Sequence, residues 1–207
     1  MRVVCSGASG FIGQALCKEL IRRGHLVQAL HRDWTEIPDF DWLFCLASYG
    51  NMYYQTDQSE IFRVNLIRTF ELLEAAKDIQ YKKFVYISTS SVSLPVQTLY
   101  SACKKAVETL IETYDKPIYI VRPFSVTGIG EQKEHLIPTL IDAAFTGKTI
   151  PFVPESVHDF IDIEDIVRVI INADKRITLA GSGTQVSNLE VLKLVEYITG
   201  RKIKTKI

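Results

Sequence analysis

The sequence predicts an α/β protein built on a doubly wound parallel sheet. Short runs of β-branched residues alternate with helix-period segments along most of the chain, and each run is apolar at consecutive positions. Strands that are apolar on both faces are covered on both faces, as in parallel sheets whose strands are joined by helices. A glycine-rich turn follows the first run directly, which is a further mark of this class.

The predicted elements follow the chain in order. Strands are expected at 2–6, 26–31, 41–47, 83–88 and 118–122, with helices at 11–23, 58–78, 100–114 and 135–147. After residue 122 the alternation loosens into extended pieces at 149–153 and 158–161 and helices at 163–174 and 187–199. We expect one compact domain over 1–207, with a core over about 1–122 and, over about 123–207, a small substrate-side cap plus elements that complete the core.

Composition excludes several classes of function. Lys+Arg and Asp+Glu both number 24, so no excess of basic charge points to nucleic acid or to a membrane surface. Apolar stretches are too short to span a bilayer, and the N-terminal run breaks at once into SGASG, unlike a signal peptide. The four cysteines are scattered without a CxxC pair, so we expect no metal, no disulfide and a cytoplasmic location.

The glycine turn reads Gly7-Ala8-Ser9-Gly10-Phe11-Ile12-Gly13, between a predicted strand and a predicted helix. Glycines in this context permit a tight turn and let backbone N–H groups at the helix start approach a pyrophosphate. We therefore predict a Rossmann-like dinucleotide site. Its expected cofactor contacts are Gly7, Ser9, Gly10, Phe11, Ile12 and Gly13.

The end of the second predicted strand bears on which dinucleotide binds. An NAD(H) site favours a carboxylate there, which accepts hydrogen bonds from the ribose hydroxyls. This chain has His31 and Arg32 instead, and a guanidinium suits a 2′-phosphate. The sequence therefore favours NADP(H) over NAD(H). The alternative is that Arg32 is a solvated loop residue and Asp33 reaches the ribose.

Tyr100 and Lys104 lie four residues apart at the start of a predicted helix, which places them on one face. A nearby ammonium, helped by a cationic nicotinamide, favours the phenolate and lowers the pKa of a tyrosine toward neutrality, so this pair predicts acid–base chemistry. Ser88–Ser91 follow a predicted strand at the sheet edge where ligands bind, and one hydroxyl there would face Tyr100. The alternatives are an exposed helix pair and a simple loop or helix cap.

The motifs, taken in order, resemble those of the extended short-chain dehydrogenase/reductases, the NAD(P)-dependent epimerase/dehydratase family. They span the chain: GASGFIG, DWLFCLAS, VNLIRTFELLEAAK, YISTSSV, YSACK, VRPFSVTGIGEQ, HDFIDIEDIV and AGSGTQVSNLEVL. The resemblance implies a Rossmann-like sheet, hydride transfer with a nicotinamide cofactor and a C-terminal cap on the substrate side. It also implies that two subunits pair through the helix that carries Tyr100, so a homodimer is expected.

The resemblance assigns roles to particular residues. Tyr100 would be the general acid/base, and Lys104 would anchor the cofactor ribose and tune the phenol. The hydroxyl of Thr89 would be catalytic, with Ser90 as second choice and a possible substrate contact. Further cofactor-side positions are Leu46, Ala47, Asn65, Pro123 and Phe124. For Asn65 the alternative is a helix-interior side chain that bonds only backbone.

Some segments depart from the family pattern. About ten residues separate His31 from Asp41, where the family has a further strand and helix, so one strand is expected to be missing. The stretch from Thr89 to Tyr100 is also short. Ser125 and His158 occupy positions at which nucleotide-sugar members often have an asparagine and an arginine for the substrate diphosphate. We expect both residues to contact the substrate.

The sequence favours an NADP(H)-dependent oxidoreductase acting on a sugar-like carbonyl or alcohol, as a nucleotide-sugar reductase or epimerase. Arg32 favours a reductase slightly, since cells keep NADPH reduced, and Ser90 and Ser91 argue against a dehydratase, which has acidic residues there. Two alternatives stay open: a reductase of a small carbonyl without a nucleotide, and a cofactor-binding sensor or assembly protein without turnover.

Overall fold

The computed structural model describes residues 1–206. The strands are β1 Arg2–Ser6, β2 Leu26–Leu30, β3 Trp42–Cys45, β4 Lys83–Ile87, β5 Ile118–Pro123, β6 Ser125–Thr127, β7 Thr149–Pro151, β8 Val157–Asp162, β9 Ile177–Ala180, β10 Gln185–Ser187 and β11 Lys204–Lys206. The α-helices are α1 Phe11–Arg22, α2 Gln58–Phe62, α3 Arg68–Ala76, α4 Leu99–Ile111, α5 Leu136–Thr146, α6 Ile163–Ile171 and α7 Asn188–Thr199. Within the described residues, no helix is both long and apolar enough to cross a membrane.

The chain forms two compact units. The first comprises Met1–Pro123 and Glu164–Ala180, and the second comprises Phe124–Ile163 and the residues from Gly181 onward. The sequence predicts a boundary near residue 122, and one structural boundary lies there. It also predicts a cap after this point, together with elements that complete the core. In the structure β9 pairs with β5, and its segment belongs to the first unit.

The first unit contains a six-stranded parallel sheet with the order β2-β1-β3-β4-β5-β9. This arrangement confirms the predicted α/β class and Rossmann-like sheet. The central strands are buried along nearly their whole length, as their continuous apolar sequences require. One core cluster joins them to α3 and α4 through residues such as Leu43, Leu72, Phe84, Tyr86 and Val107.

The strand β2 lies at the edge of this sheet. No strand is formed between His31 and Asp41, the segment in which the sequence predicts a strand to be missing. Much of β2 is exposed, including 74% of Leu26. The short connection from β2 to β3 therefore leaves the outer side of β2 uncovered by a further strand.

The second unit is built from short strands and two helices. The strands β10, β8 and β6 form one sheet, in which β10 is antiparallel and β6 parallel to β8. The strands β11 and β7 form a separate parallel pair. The helices α5 and α7 contribute Leu140, Ala143, Val191 and Val195 to a small apolar core of this unit.

Candidate active site

The glycine turn is shaped by close backbone contacts. Gly7 has φ +69°, and a Cβ added there would lie 2.5 Å from the backbone nitrogen of Ala47. A Cβ on Gly13 would lie 2.1 Å from the carbonyl oxygen of Gly7. Both contacts are shorter than side chains tolerate, so these two glycines let the turn, the start of α1 and the end of β3 approach one another.

Gly10 is different, because an added Cβ would meet only the Gly7 carbonyl oxygen, at 3.3 Å. It is the N-cap of α1, and no side chain caps the helix there. Exposed Ser9 and half-buried Phe11 and Ile12 flank it. The start of α1 therefore has no side-chain cap, and its N-terminal N–H groups suit the pyrophosphate of a dinucleotide.

Three charged or titratable side chains follow β2. His31, Arg32 and Asp33 are all exposed, and the His31 Nδ1 lies 3.7 Å from an Asp33 carboxylate oxygen. The Arg68 guanidinium fixes the backbone here by donating to the carbonyl oxygens of Arg32, at 3.1 Å, and Trp34, at 2.8 Å. Cation and carboxylate are thus both present where the family distinguishes its cofactors.

The segment after β3 lies directly against the glycine turn. The Leu46 N–H donates to the Ser6 carbonyl oxygen at 3.2 Å, and the Ala47 N–H donates to the Ser6 hydroxyl at 3.4 Å. Ser48 comes next and its side chain interacts with the Tyr100 phenol. The sequence analysis does not predict a role for Ser48, although this residue directly follows the predicted cofactor-side positions Leu46 and Ala47.

Asn65 is fully buried in a π-helical turn, Arg63–Ile67, that interrupts the helix predicted over 58–78. Its amide nitrogen donates to the carbonyl oxygens of Tyr49 and Ile61, and its amide oxygen accepts from the Tyr49 N–H at 3.3 Å. All three hydrogen bonds of the Asn65 side chain are to backbone atoms. Asn65 thereby braces the segment that follows β3.

The helix α4 carries the tyrosine–lysine pair. A capping box formed by Thr98 and Ser101 begins the helix, which fixes Tyr100 in its first turn. Lys104 is 1% exposed, and its Nζ donates to the carbonyl oxygen of Ile87 at 2.9 Å. The same Nζ lies 5.9 Å from the centre of the Tyr100 ring. The four-residue spacing on α4 and the hydrogen bond to the end of β4 together hold the Lys104 ammonium near the Tyr100 ring.

Burial dominates the electrostatics of this pair. Burial raises the pKa of the Tyr100 phenol, and the interaction with Ser48 opposes that rise. Burial also lowers the pKa of Lys104 to about 8. The prediction that Lys104 and a cationic nicotinamide together lower the tyrosine pKa concerns the cofactor-bound protein; in the protein alone, desolvation raises the pKa of the phenol.

The serine-rich stretch forms the turn after β4. The Thr89 hydroxyl oxygen accepts from the Ser91 N–H at 3.2 Å and caps a 3₁₀ turn over Ser90–Ser93. Thr89 and Ser90 are half-buried. Ser88 is 3% exposed and its hydroxyl has no hydrogen-bond partner. Thr89 can still donate its hydroxyl hydrogen, so the cap leaves this group available to a ligand.

Pro123 ends β5, where it pairs with Ala180 of β9 and is buried. Phe124 follows and is 38% exposed. These two residues form the boundary between the two units. The structure therefore places both at the carboxyl end of the sheet strand, where open parallel sheets bind their ligands.

The second unit brings Ser125 and His158 together. The Ser125 hydroxyl lies 3.0 Å from the His158 Nδ1, across the paired strands β6 and β8. His158 also lines a cavity of about 590 Å³ whose walls are mostly apolar and include Phe152, Ser156 and Asn188. The Asn188 amide oxygen is buried without a hydrogen-bond partner. The sequence does not predict this cavity, because its walls come from separate short segments.

A model of the NAD dependent epimerase/dehydratase family matches residues 35–186 of the chain. The chain is 31% identical over 164 residues to a UDP-glucuronate 4-epimerase of Thermodesulfobacterium geofontis, covering 68% of this chain and 51% of that protein. It is 30% identical over 161 residues to the low-salt glycan biosynthesis protein Agl12 of Haloferax volcanii, covering 66% and 52%. The chain spans about half the length of the curated relatives it matches.

The fold is also similar to that of solved structures. The UDP-glucuronic acid 4-epimerase from Bacillus cereus, determined in complex with NAD, aligns with a TM-score of 0.87 and 24% identity. The alignment covers 100% of this chain and 85% of that chain. At this level of identity the likeness shows a shared fold.

Proposed function

The chain belongs to the NAD dependent epimerase/dehydratase family, and on that premise we propose that it is a nucleotide-sugar oxidoreductase of the epimerase type. The observation that carries the proposal is the Tyr100–Lys104 pair beside the end of β4, with the glycine turn packed on Leu46 and Ala47. A protein that only binds a dinucleotide has no need of a buried lysine next to a phenol.

The residues of the first unit fit a nicotinamide dinucleotide. The N-terminus of α1 at Gly10, which has no side-chain cap, would hold the pyrophosphate, and Asn65 would fix the segment that follows β3 through Tyr49. Lys104 would bind the ribose beside the nicotinamide. When bound, the cofactor accepts or supplies a hydride at the sugar carbon.

The choice between NAD(H) and NADP(H) depends on the end of β2. Arg32 supports NADP(H), but its neighbour Asp33 is equally exposed and could accept hydrogen bonds from a ribose. The compared epimerase structure contains NAD. We therefore propose NAD(H) as the cofactor, with NADP(H) as the alternative that Arg32 supports. This choice also favours an epimerase over a reductase, since epimerases return the hydride to the same substrate.

Tyr100 would exchange the proton of the sugar hydroxyl. Because burial raises the pKa of Tyr100, the phenol is protonated at neutral pH and can donate to a carbonyl oxygen. In the reverse direction the phenolate would be stabilised by the Lys104 ammonium on the same helix face. Thr89, and Ser90 as second choice, would donate a hydrogen bond to the same substrate oxygen.

The second unit contains, within itself, groups that suit parts of a nucleotide. The Ser125–His158 pair offers polar groups to a phosphate, and the cavity that His158 lines has the apolar walls that a nucleoside base favours. A nucleotide-linked sugar presents both a phosphate and a base.

The test combines cofactor titration with one substitution. Calorimetric titration with NADH and NADPH decides the cofactor, since tenfold tighter binding of one corresponds to about 1.4 kcal/mol. Tyr100→Phe should keep cofactor affinity and lose turnover of a UDP-sugar by about 100- to 10,000-fold. Tyr197→Phe, at an exposed position of α7, is the matched control. Unchanged turnover in Tyr100→Phe, or no dinucleotide binding by the native protein, would contradict the proposal.

We also propose that the first unit pairs with a second copy of the chain. Apolar side chains are exposed on and between the helices that precede and carry the site: Phe62, Ile67, Phe70 and Leu99. Exposed apolar clusters on an otherwise polar surface commonly mark an interface. The family resemblance implies subunit pairing through α4, the helix that carries Tyr100 and Leu99.

A further inference from the structure

The ammonium of Lys104 is buried and has few polar groups around it. The side chain is 1% exposed, and its Nζ donates to the Ile87 carbonyl oxygen at 2.9 Å. An ammonium has three N–H donors, so this single bond leaves most of its hydrogen-bonding capacity and its charge to the surroundings. A buried charge is costly unless the protein compensates it.

The surroundings contain few opposing charges. Glu108, one turn further along α4, forms an ion pair with Arg122 of β5. The thiols of Cys103, on α4, and Cys45, on β3, also face Lys104, and burial raises the pKa of each, so both are neutral at pH 7. The Glu108 carboxylate favours the charged form of Lys104 but is itself paired with Arg122, and the neutral thiols add no negative charge.

The remaining neighbours are aromatic rings. Nζ lies 4.9 Å from the centre of the Tyr86 ring on β4 and 5.9 Å from that of Tyr100. Cations within about 6 Å of a ring face are attracted by its quadrupole, most strongly where water is excluded. Tyr86 is 0% exposed and its hydroxyl has no hydrogen-bond partner. What this residue contributes at its position is therefore its ring and not its hydroxyl.

We propose that Tyr86 is a positioning residue whose ring face keeps the Lys104 ammonium charged and fixed on the Ile87 carbonyl, beside Tyr100. This inference rests on the proposed function, in which Lys104 and Tyr100 act together. Tyr86 itself touches neither substrate nor cofactor in this account. Its hydroxyl is dispensable, so phenylalanine should replace it and leucine should not.

The primary test measures the protein without cofactor or substrate. Because burial lowers the pKa of Lys104 to about 8 from its ordinary 10.5, the unfolded chain holds one proton more between these values. The free energy of unfolding therefore gains a rising contribution as pH increases from 8. Burial also raises the pKa of the Cys45 thiol, and this makes the free energy of unfolding fall as pH rises. The Lys104 contribution is therefore obtained for each variant by comparison with the same variant that also carries Lys104→Met.

The expected results distinguish an effect of the ring on Lys104 from an effect of packing. The quantity compared is the onset, meaning the pH at which the Lys104-dependent part of the free energy of unfolding begins to rise. Tyr86→Phe should keep this onset near pH 8, whereas Tyr86→Leu should move it about one pH unit lower. Phe84→Leu, at another fully buried ring position of β4, is the matched control and should leave the onset in place. If Tyr86→Leu fails to fold, Tyr86→Met carries the same test.

Two outcomes would overturn the inference. An onset that stays in place in both leucine variants would make Tyr86 a packing residue only. An onset shifted equally by phenylalanine and leucine would show that the hydroxyl, not the ring, holds the ammonium. The pH profile of turnover should shift in the same direction as the stability onset. Because that onset needs no cofactor, failure of the proposed function would leave it unchanged and would be recognised separately.

Discussion

Lys104 shows how a single side chain can reduce stability for the sake of chemistry. Its pKa of about 8, lowered by burial from 10.5, means that the folded protein holds a proton unfavourably at neutral pH. The shift corresponds to a cost on the order of 3 kcal/mol at pH 7. That cost disappears as pH rises to 10.5, where the unfolded chain also loses the proton.

Lys104→Met should therefore raise the free energy of unfolding at pH 7, by about 2–3 kcal/mol in denaturant titration. Lys105→Met, at the next and exposed position, is the control and should change little. Turnover should be lost in the first variant and kept in the second. Equal stability of Lys104→Met and the native protein at pH 7 would mean that the folded state does not hold a desolvated charge.

For single residues, the sequence predicts which side chains lie together better than it predicts their pKa values. The four-residue spacing of Tyr100 and Lys104 is sufficient to place them on one helix face. The direction of the Tyr100 pKa is not readable from it, because it depends on how deeply the phenol is buried and on Ser48 from another segment. Tyr86 lies in an apolar strand sequence, and nothing in that sequence distinguishes it from the core residues beside it.

At the scale of elements, the glycine turn makes the sharpest prediction. Gly13→Ala should destabilise the protein by about 1–3 kcal/mol, because its Cβ would lie 2.1 Å from a backbone oxygen that cannot move alone. Gly10→Ala should fold normally, since its nearest contact is 3.3 Å, and should weaken cofactor binding. Thermal unfolding and dinucleotide titration of both variants check this contrast. Similar losses of stability in the two variants would contradict it.

Long periodic segments are predicted well and short ones are missed. The five predicted strands and the helix that carries Tyr100 all form, because their apolar patterns are set locally. The strands β6, β9, β10 and β11 have three or four residues each, and only pairing with distant segments defines them. The π-helical turn at Arg63–Ile67 also escapes prediction, since the hydrogen bonds of Asn65 to Tyr49 belong to the tertiary structure.

At the scale of the whole molecule, the proposed pairing of two copies is open to direct measurement. Sedimentation should give a dimer for the native protein and a monomer for Phe70→Glu, because a charge there would be buried without a partner in the interface. Tyr197→Glu, at a similarly exposed position of α7, should leave the dimer intact. A native monomer at micromolar concentration would refute the pairing.

The return of β9 to the sheet of the first unit has a consequence for synthesis. On the ribosome, β5 emerges long before the strand that pairs with its outer side, and the intervening chain builds much of the second unit first. Until β9 arrives, the backbone N–H and C=O groups along that side of β5 have no strand to bond, which is the state in which nascent sheets join wrong partners. A ribosome stalled before residue 177 would hold a nascent chain in need of a chaperone.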